Sequence, residues 1–129
     1  MEDIEIKESP TTPEVNLKFS VGKFEIKGVS IPEDTEEFYA PILEAIQTYI
    51  RDERPEKIQM VFKLIYVNTS TSAILGRIIK IFENTNDPNL QVNIQWYYEQ
   101  EDEDMKDLGE DFSSFSEIKF EMIPCEEII

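Results

Sequence analysis

Apolar residues recur along this chain with two different periods, and the switches between them lay out its elements. Val15, Leu17 and Phe19 alternate with polar side chains. Phe24 and Ile26 alternate again after Val21-Gly22-Lys23, which predicts two short strands around a glycine turn. After Pro32, the residues Glu33, Asp34 and Thr35 supply helix-start chemistry, and Phe38, Ile42, Ile46, Tyr49 and Ile50 recur at helical spacing. A first helix is expected to run to about Asp52, with a kink or restart at Pro41, whose ring removes a backbone donor and crowds the preceding turn. Ile58 through Val67 follows Pro55 as a nearly unbroken apolar and aromatic run, which predicts a strand covered on both faces.

From Ala73 onward, Ile74, Ile78, Ile81 and Phe82 share one helical face, widened by Leu75 and Ile79. Asn86-Asp87-Pro88-Asn89 forms a turn before Leu90, Val92, Ile94, Trp96 and Tyr98 alternate with polar residues and Tyr97 as a strand. That alternation sends Trp96 and Tyr98 to one face, expected to be the core, and Tyr97 to the other. The acidic stretch Glu99 to Asp111 carries Met105, Leu108 and Phe112 at helical spacing, and Ile118, Phe120 and Met122 alternate as a last strand that ends at Pro124. A hairpin feeding alternating helices and strands predicts an α/β fold with a mixed sheet. With 129 residues and no linker the chain is expected to form one domain, ordered over about 12–123, with mobile ends.

Charge narrows the function. The formal net charge is -16, from 28 acidic and 12 basic residues, which repels nucleic acid and anionic membrane surfaces. No signal peptide or membrane-spanning run is visible, so a cytoplasmic location is expected. The chain has no histidine, which removes Ser-His-Asp and Cys-His nucleophile systems and the usual zinc sites. Cys125 is the one cysteine and is expected to be a passive thiol. The acidic run Glu101-Asp102-Glu103-Asp104 lacks the alternate oxygen ligands and central glycine of a calcium loop, and Lys106 breaks its register. No metal or cofactor is expected, and no catalytic residues are assigned.

The chemistry-bearing segment is Asn68-Thr69-Ser70-Thr71-Ser72, between the apolar strand and the helix after it. One such side chain suffices to cap a helix. A succession of hydroxyls at the carboxyl edge of a central strand lies where open α/β sheets place ligand sites. A phosphate carried there would face unpaired N–H groups and the positive end of the helix dipole.

The element order and the Asn68-Thr69-Ser70 junction resemble the anti-sigma-factor antagonist (STAS) fold, whose members carry a phosphorylatable Ser or Thr at this turn. Here Asn68 replaces the usual Asp, and Thr71 and Ser72 stand where that pattern has Gly. More closely, Leu64-Ile65-Tyr66-Val67-Asn68-Thr69-Ser70, Trp96-Tyr97-Tyr98 and Gly28-Val29-Ser30-Ile31-Pro32-Glu33 resemble the SiaC family of bacterial regulatory phosphoproteins over roughly residues 12 to 122. The resemblance implies a partner-switching protein that is not an enzyme, phosphorylated on Thr69 by a serine/threonine kinase and dephosphorylated by a PP2C-like phosphatase. It also implies that the unphosphorylated form binds and activates a diguanylate cyclase. Asn68, Thr69, Ser70, Thr71, Ser72 and Arg77, on the junction and the adjoining helix, are the candidate docking residues. Two alternatives stay open: a constitutive acidic adaptor for a basic partner, and an enzyme using Asp or Glu as acid and base.

Overall fold

The computed structural model describes residues 1–129. Six strands and three helices run in the order β1 (Ile4–Ile6), β2 (Glu14–Lys18), β3 (Lys23–Ser30), α1 (Thr35–Glu53), β4 (Lys57–Val67), α2 (Thr69–Glu83), β5 (Gln91–Glu99), α3 (Glu103–Ser114) and β6 (Lys119–Cys125). They form one sheet in the order β1-β2-β3-β4-β5-β6, antiparallel from β1 to β3 and parallel from β3 to β6. The expected mixed α/β architecture with its leading hairpin is present.

The hairpin turn depends on Gly22. Its φ is 66°, and a Cβ there would come 2.5 Å from the Lys57 carbonyl oxygen. The close approach lets the Gly22 carbonyl accept the Gln59 N–H at 2.8 Å, joining the hairpin to the start of β4.

All three helices pack on one face of the sheet. A chain that steps β3 to β4 to β5 to β6 through right-handed parallel crossovers, without reversing, lays each helix on the same side. The single core cluster accordingly joins the helices to one parity of each strand: Val15 and Leu17, Phe24 and Ile26, Ile58, Met60, Phe62 and Leu64, then Ile94, Trp96 and Tyr98. Trp96 and Tyr98 are in the core as expected. Tyr97 lies on the opposite face, its ring 4.9 Å below the Lys63 ammonium.

The expectation that β4 is covered on both faces is therefore corrected. Its outward parity carries Gln59, Val61 and Lys63, where Lys63 pairs with Glu25 at 3.0 Å and Gln59 donates to Gln95 at 2.7 Å. Val61 misleads the pattern because it is buried without belonging to the core. It lies beside Glu25 and Gln95 in the register, bracketed by those two polar pairs.

Four other boundaries differ. Helix α1 runs unbroken through Pro41, which sits on its exposed side, so no restart occurs. Helix α2 begins at Thr69, four residues before Ala73. Strand β6 passes through Pro124 to Cys125, which an edge strand with one paired side tolerates. The sheet also starts before residue 12, with Ile4 and Ile6 opposite Leu17 and Val15. Beyond β6, Ile128 is buried and its N–H donates to Glu99.

Helix α3 reaches the sheet through Gly109. A Cβ on that residue would lie 2.5 and 2.6 Å from Trp96 Cδ1 and Nε1. The indole N–H donates to the Met105 carbonyl at 3.0 Å, so the one buried tryptophan both fills space and has its polar atom satisfied.

Candidate functional site: the β4–α2 edge

The site is prepared by an irregularity in β4. Gly28 pairs with Leu64 and Val29 with Tyr66, leaving Ile65 as an extra residue on β4. Simple alternation from Ile58, Met60, Phe62 and Leu64 would send Tyr66 inward. The bulge reverses this parity: Val67 packs on the core and Tyr66 stands 58% exposed. An aromatic surface is thus presented shortly before Thr69.

Asn68 then caps α2. Its side-chain oxygen accepts the Thr71 N–H at 2.9 Å and the Ser70 hydroxyl at 3.1 Å, while its own N–H donates to the Ser30 carbonyl at 3.1 Å. The first turn of α2 contains hydroxyl residues and no acidic side chain.

The hydroxyl run divides into an inner and an outer set. Thr71, grouped with the docking residues from sequence, is fully buried. Its hydroxyl donates to the Ser30 carbonyl at 3.1 Å and lies 2.9 Å from the Ser30 hydroxyl, which is 2.7 Å from the Tyr39 hydroxyl. One proton order satisfies all three groups: Tyr39 to Ser30, Ser30 to Thr71, and Thr71 to the Ser30 carbonyl. Burial pushes the Tyr39 phenol up to about 12, with the Ser30 hydrogen bond offsetting part of the rise. This chain ties the end of β3, α1 and the start of α2 together beneath the surface, and so corrects the outward role expected of Thr71.

On the outside, Ser70 is held between Asn68 and the Thr35 hydroxyl, the latter at 2.6 Å, which joins the first turns of α1 and α2. Thr69 is exposed and no side chain engages its hydroxyl. Ser72 is half-buried. Arg77 lies two turns along α2 and forms a salt bridge with Glu36 of α1. The structure therefore gathers Asn68, Thr69 and Ser70 at one edge, sets Arg77 about 12 Å along the helix from Thr69 by axial rise, and withdraws Thr71.

Sequence reasoning does not assign Ser30, Thr35, Tyr39 or Glu36 to this site, although it singles out Thr35 as helix-start chemistry and Ser30 within a family-like stretch. Ser30 carries a signal, since a serine ending an otherwise apolar inward parity requires a partner. The bulge hides that parity. Cys125, expected to be passive, has its thiol pushed up by burial and then by Glu99, and it donates to the Tyr98 carbonyl at 3.4 Å. No helix is long and apolar enough to cross a membrane.

A mixed sheet with helices on one face and an acid-free, hydroxyl-bearing helix start at its carboxyl edge defines the class: a small α/β domain with an exposed, unengaged hydroxyl at that start. The chain belongs to the SiaC family, whose model, described as SiaC family regulatory phosphoprotein, matches residues 6–125. An uncharacterized protein of Pseudomonas aeruginosa (strain UCBPP-PA14) is 25% identical over 113 residues, covering 87% of this chain and 88% of that protein. The fold is similar to the crystal structure of apo-SiaC from Pseudomonas aeruginosa, with a TM-score of 0.87 at 21% identity, over 95% of this chain and 99% of that one. It is also similar to a chain in the crystal structure of the diguanylate cyclase SiaD in complex with its activator SiaC from the same species. There the TM-score is 0.89 at 21% identity, over 95% of this chain and 100% of the other.

Proposed function

We propose that this regulatory phosphoprotein is a non-enzymatic partner switch of the cytoplasm whose phosphorylated residue is Thr69. A serine/threonine kinase adds the phosphate, a PP2C-like phosphatase removes it, and the unphosphorylated form binds and activates a diguanylate cyclase. The observation that carries this assignment is the exposed, unengaged Thr69 hydroxyl on a helix start that contains no carboxylate. Family membership and the complex of the related SiaC with the cyclase SiaD support the partner class.

The docking surface is Asn68, Thr69, Ser70 and Ser72, flanked by the exposed ring of Tyr66 and continued along α2 to Arg77; Thr71 fixes it from below. A phosphate brings about -1.5 to -2 charges, a small change against -16 overall. Its effect is local: desolvation of a dianion at the contact and repulsion of nearby partner carboxylates.

Thr69→Ala is expected to fold normally, to accept no phosphate, and to retain cyclase binding. The check is intact-mass analysis of protein from kinase-containing cells, with peptide mapping across residues 64–77, beside a pull-down with the purified cyclase. Phosphate that persists in Thr69→Ala sinks the assignment. Binding unchanged by phosphorylation and steeply salt-sensitive would favour the constitutive acidic adaptor instead.

A further inference from the structure

One apolar residue is buried beyond the last strand, away from the helices. Ile128 is 7% exposed, belongs to no helix or strand, and stands apart from the core cluster. The chain bends at Glu126 directly after β6, and the Ile128 N–H donates to a Glu99 carboxylate oxygen at 3.0 Å. Glu99 ends β5 with the parity of Tyr97, on the sheet face that no helix covers. The segment after Cys125 therefore turns back across the end of β5 and brings Ile128 to the open face.

The same corner holds the chain's one thiol. The register sets Cys125 beside Glu99 and Ile123 beside Tyr97, so these residues share the outward parity. The Gln100 N–H donates to the Cys125 carbonyl at 2.9 Å, which fixes the point where the reversal starts. The Cys125 thiol donates to the Tyr98 carbonyl at 3.4 Å and lies within electrostatic reach of Glu99 and Lys63. Glu99 thus serves two neighbours: its charge faces the thiol, and one carboxylate oxygen holds the returning backbone. Cys125 belongs to an edge strand, yet its side is half-buried.

The hold on this segment is slight. Glu126, Glu127 and Ile129 are exposed, so a single apolar side chain and a single hydrogen bond tie residues 126–129 down. Burial of one isoleucine and one bond to a carboxylate are comparable in size with the conformational entropy lost in ordering the same residues. A segment so balanced opens locally far more often than the sheet beneath it unfolds.

We infer that residues 126–129 form a strap, latched by Ile128 at Glu99, that closes over Cys125 and the adjoining end of the open face. Closed, the strap withholds the thiol from solutes. Open, it bares the sulfur and frees the Glu99 carboxylate while the sheet and helices stay folded. Access to Cys125 is then set by the strap and not by global unfolding.

The test follows labelling of the native, reduced protein by N-ethylmaleimide, whose double bond adds the sulfur at one carbon and the thiol proton at the other. With one cysteine in the chain, intact mass reads the rate directly. Four chains are compared: the wild type, the strap variant Ile128→Ser, the conservative Ile128→Leu, and the control Val21→Ser at an exposed apolar residue of the hairpin. Serine at 128 keeps the backbone N–H and removes only the apolar anchor. The expected result is labelling about tenfold faster in Ile128→Ser, the factor by which loss of one buried isoleucine shifts an opening equilibrium. Ile128→Leu and Val21→Ser should label at the wild-type rate, and all four should melt alike.

A wild-type rate in Ile128→Ser overturns the strap, since releasing the anchor then changes nothing at the sulfur. Equal acceleration in Ile128→Leu overturns the apolar latch. A wild type that labels as fast when folded as in urea overturns it as well, because nothing then shields the thiol. If Ile128→Ser labels only as fast as its global unfolding in a urea titration allows, access belongs to unfolding and the strap fails.

Discussion

Helices α2 and α3 begin on the same kind of cap and differ in the residues after it. Asn68 accepts the Thr71 N–H at 2.9 Å, and Asp102 accepts the Met105 N–H at 3.0 Å. After the cap, α3 places Glu103 and Asp104 in its first turn, where carboxylates complement the positive end of the helix dipole. Helix α2 places Thr69, Ser70 and Thr71 there and no acid, in a protein with 28 acidic residues available. The cap makes each helix start; its first turn decides whether the start is electrostatically complete. At α3 it is complete, and at α2 a negative charge can still be added. Under the proposed assignment of Thr69, stability and switching fall to different helices, and three perturbations test that division.

The largest effect is expected at α3. Gly109→Ala drives a methyl to within 2.6 Å of the Trp96 ring, and overpacking of this kind costs about 3 kcal/mol at its upper end. Urea unfolding should show that loss, while phosphorylation of Thr69 per folded molecule stays unchanged. A variant as stable as the wild type would mean that α3 can move off Trp96, and the structural role given to this helix would fail.

Next comes the hydroxyl chain under α2. The Tyr39 phenol is held neutral by burial, its pKa raised from 10.0 to about 12. The folded value exceeds the unfolded one, so its contribution to stability is fully present below pH 10 and is lost as pH rises toward 12. That difference corresponds to about 3 kcal/mol. Stability measured by urea from about pH 9 to 12 should fall more steeply in the wild type than in Tyr39→Phe, which has no proton to lose. Parallel profiles would show that the platform beneath Thr69 does not depend on this phenol.

How much of this division is legible in the sequence depends on where each part keeps its information. The hairpin, the inward Trp96 and Tyr98, and the apolar stripe of α2 are written in local periodicity, and all appear as expected. The apolar pattern puts the start of α2 at Ala73 because the buried face begins with Thr71 and Ile74, and a threonine gives no apolar signal. The bulge at Ile65 is invisible in the chain alone because a one-residue offset has meaning only against the β3 register. The one-sided sheet comes from strand order, which no single strand encodes, and Val61 imitates a second core. Asn68, Thr69 and Ser70 are legible because cap chemistry is local. Ser30, Tyr39 and Thr71 meet only through the tertiary fold.

The smallest effect discriminates best. Thr69→Asp adds a carboxylate at the first residue of α2, where the dipole is uncompensated, and should raise stability by about 0.5 kcal/mol at low salt, the gain shrinking as salt screens it. Glu103→Gln removes a carboxylate from the matching position of α3 and should lower stability by a similar amount. The two helix starts should thus respond with opposite signs to changes of the same magnitude. Cyclase affinity gives the second readout, since the aspartate is expected to stabilise the fold while placing negative charge on the proposed docking edge. A Thr69→Asp chain that melts higher and binds more weakly locates the switch at the contact itself. If it melts lower instead, weakened binding would reduce to partial unfolding, and the acid-free start of α2 would lose its meaning as a place kept for phosphate.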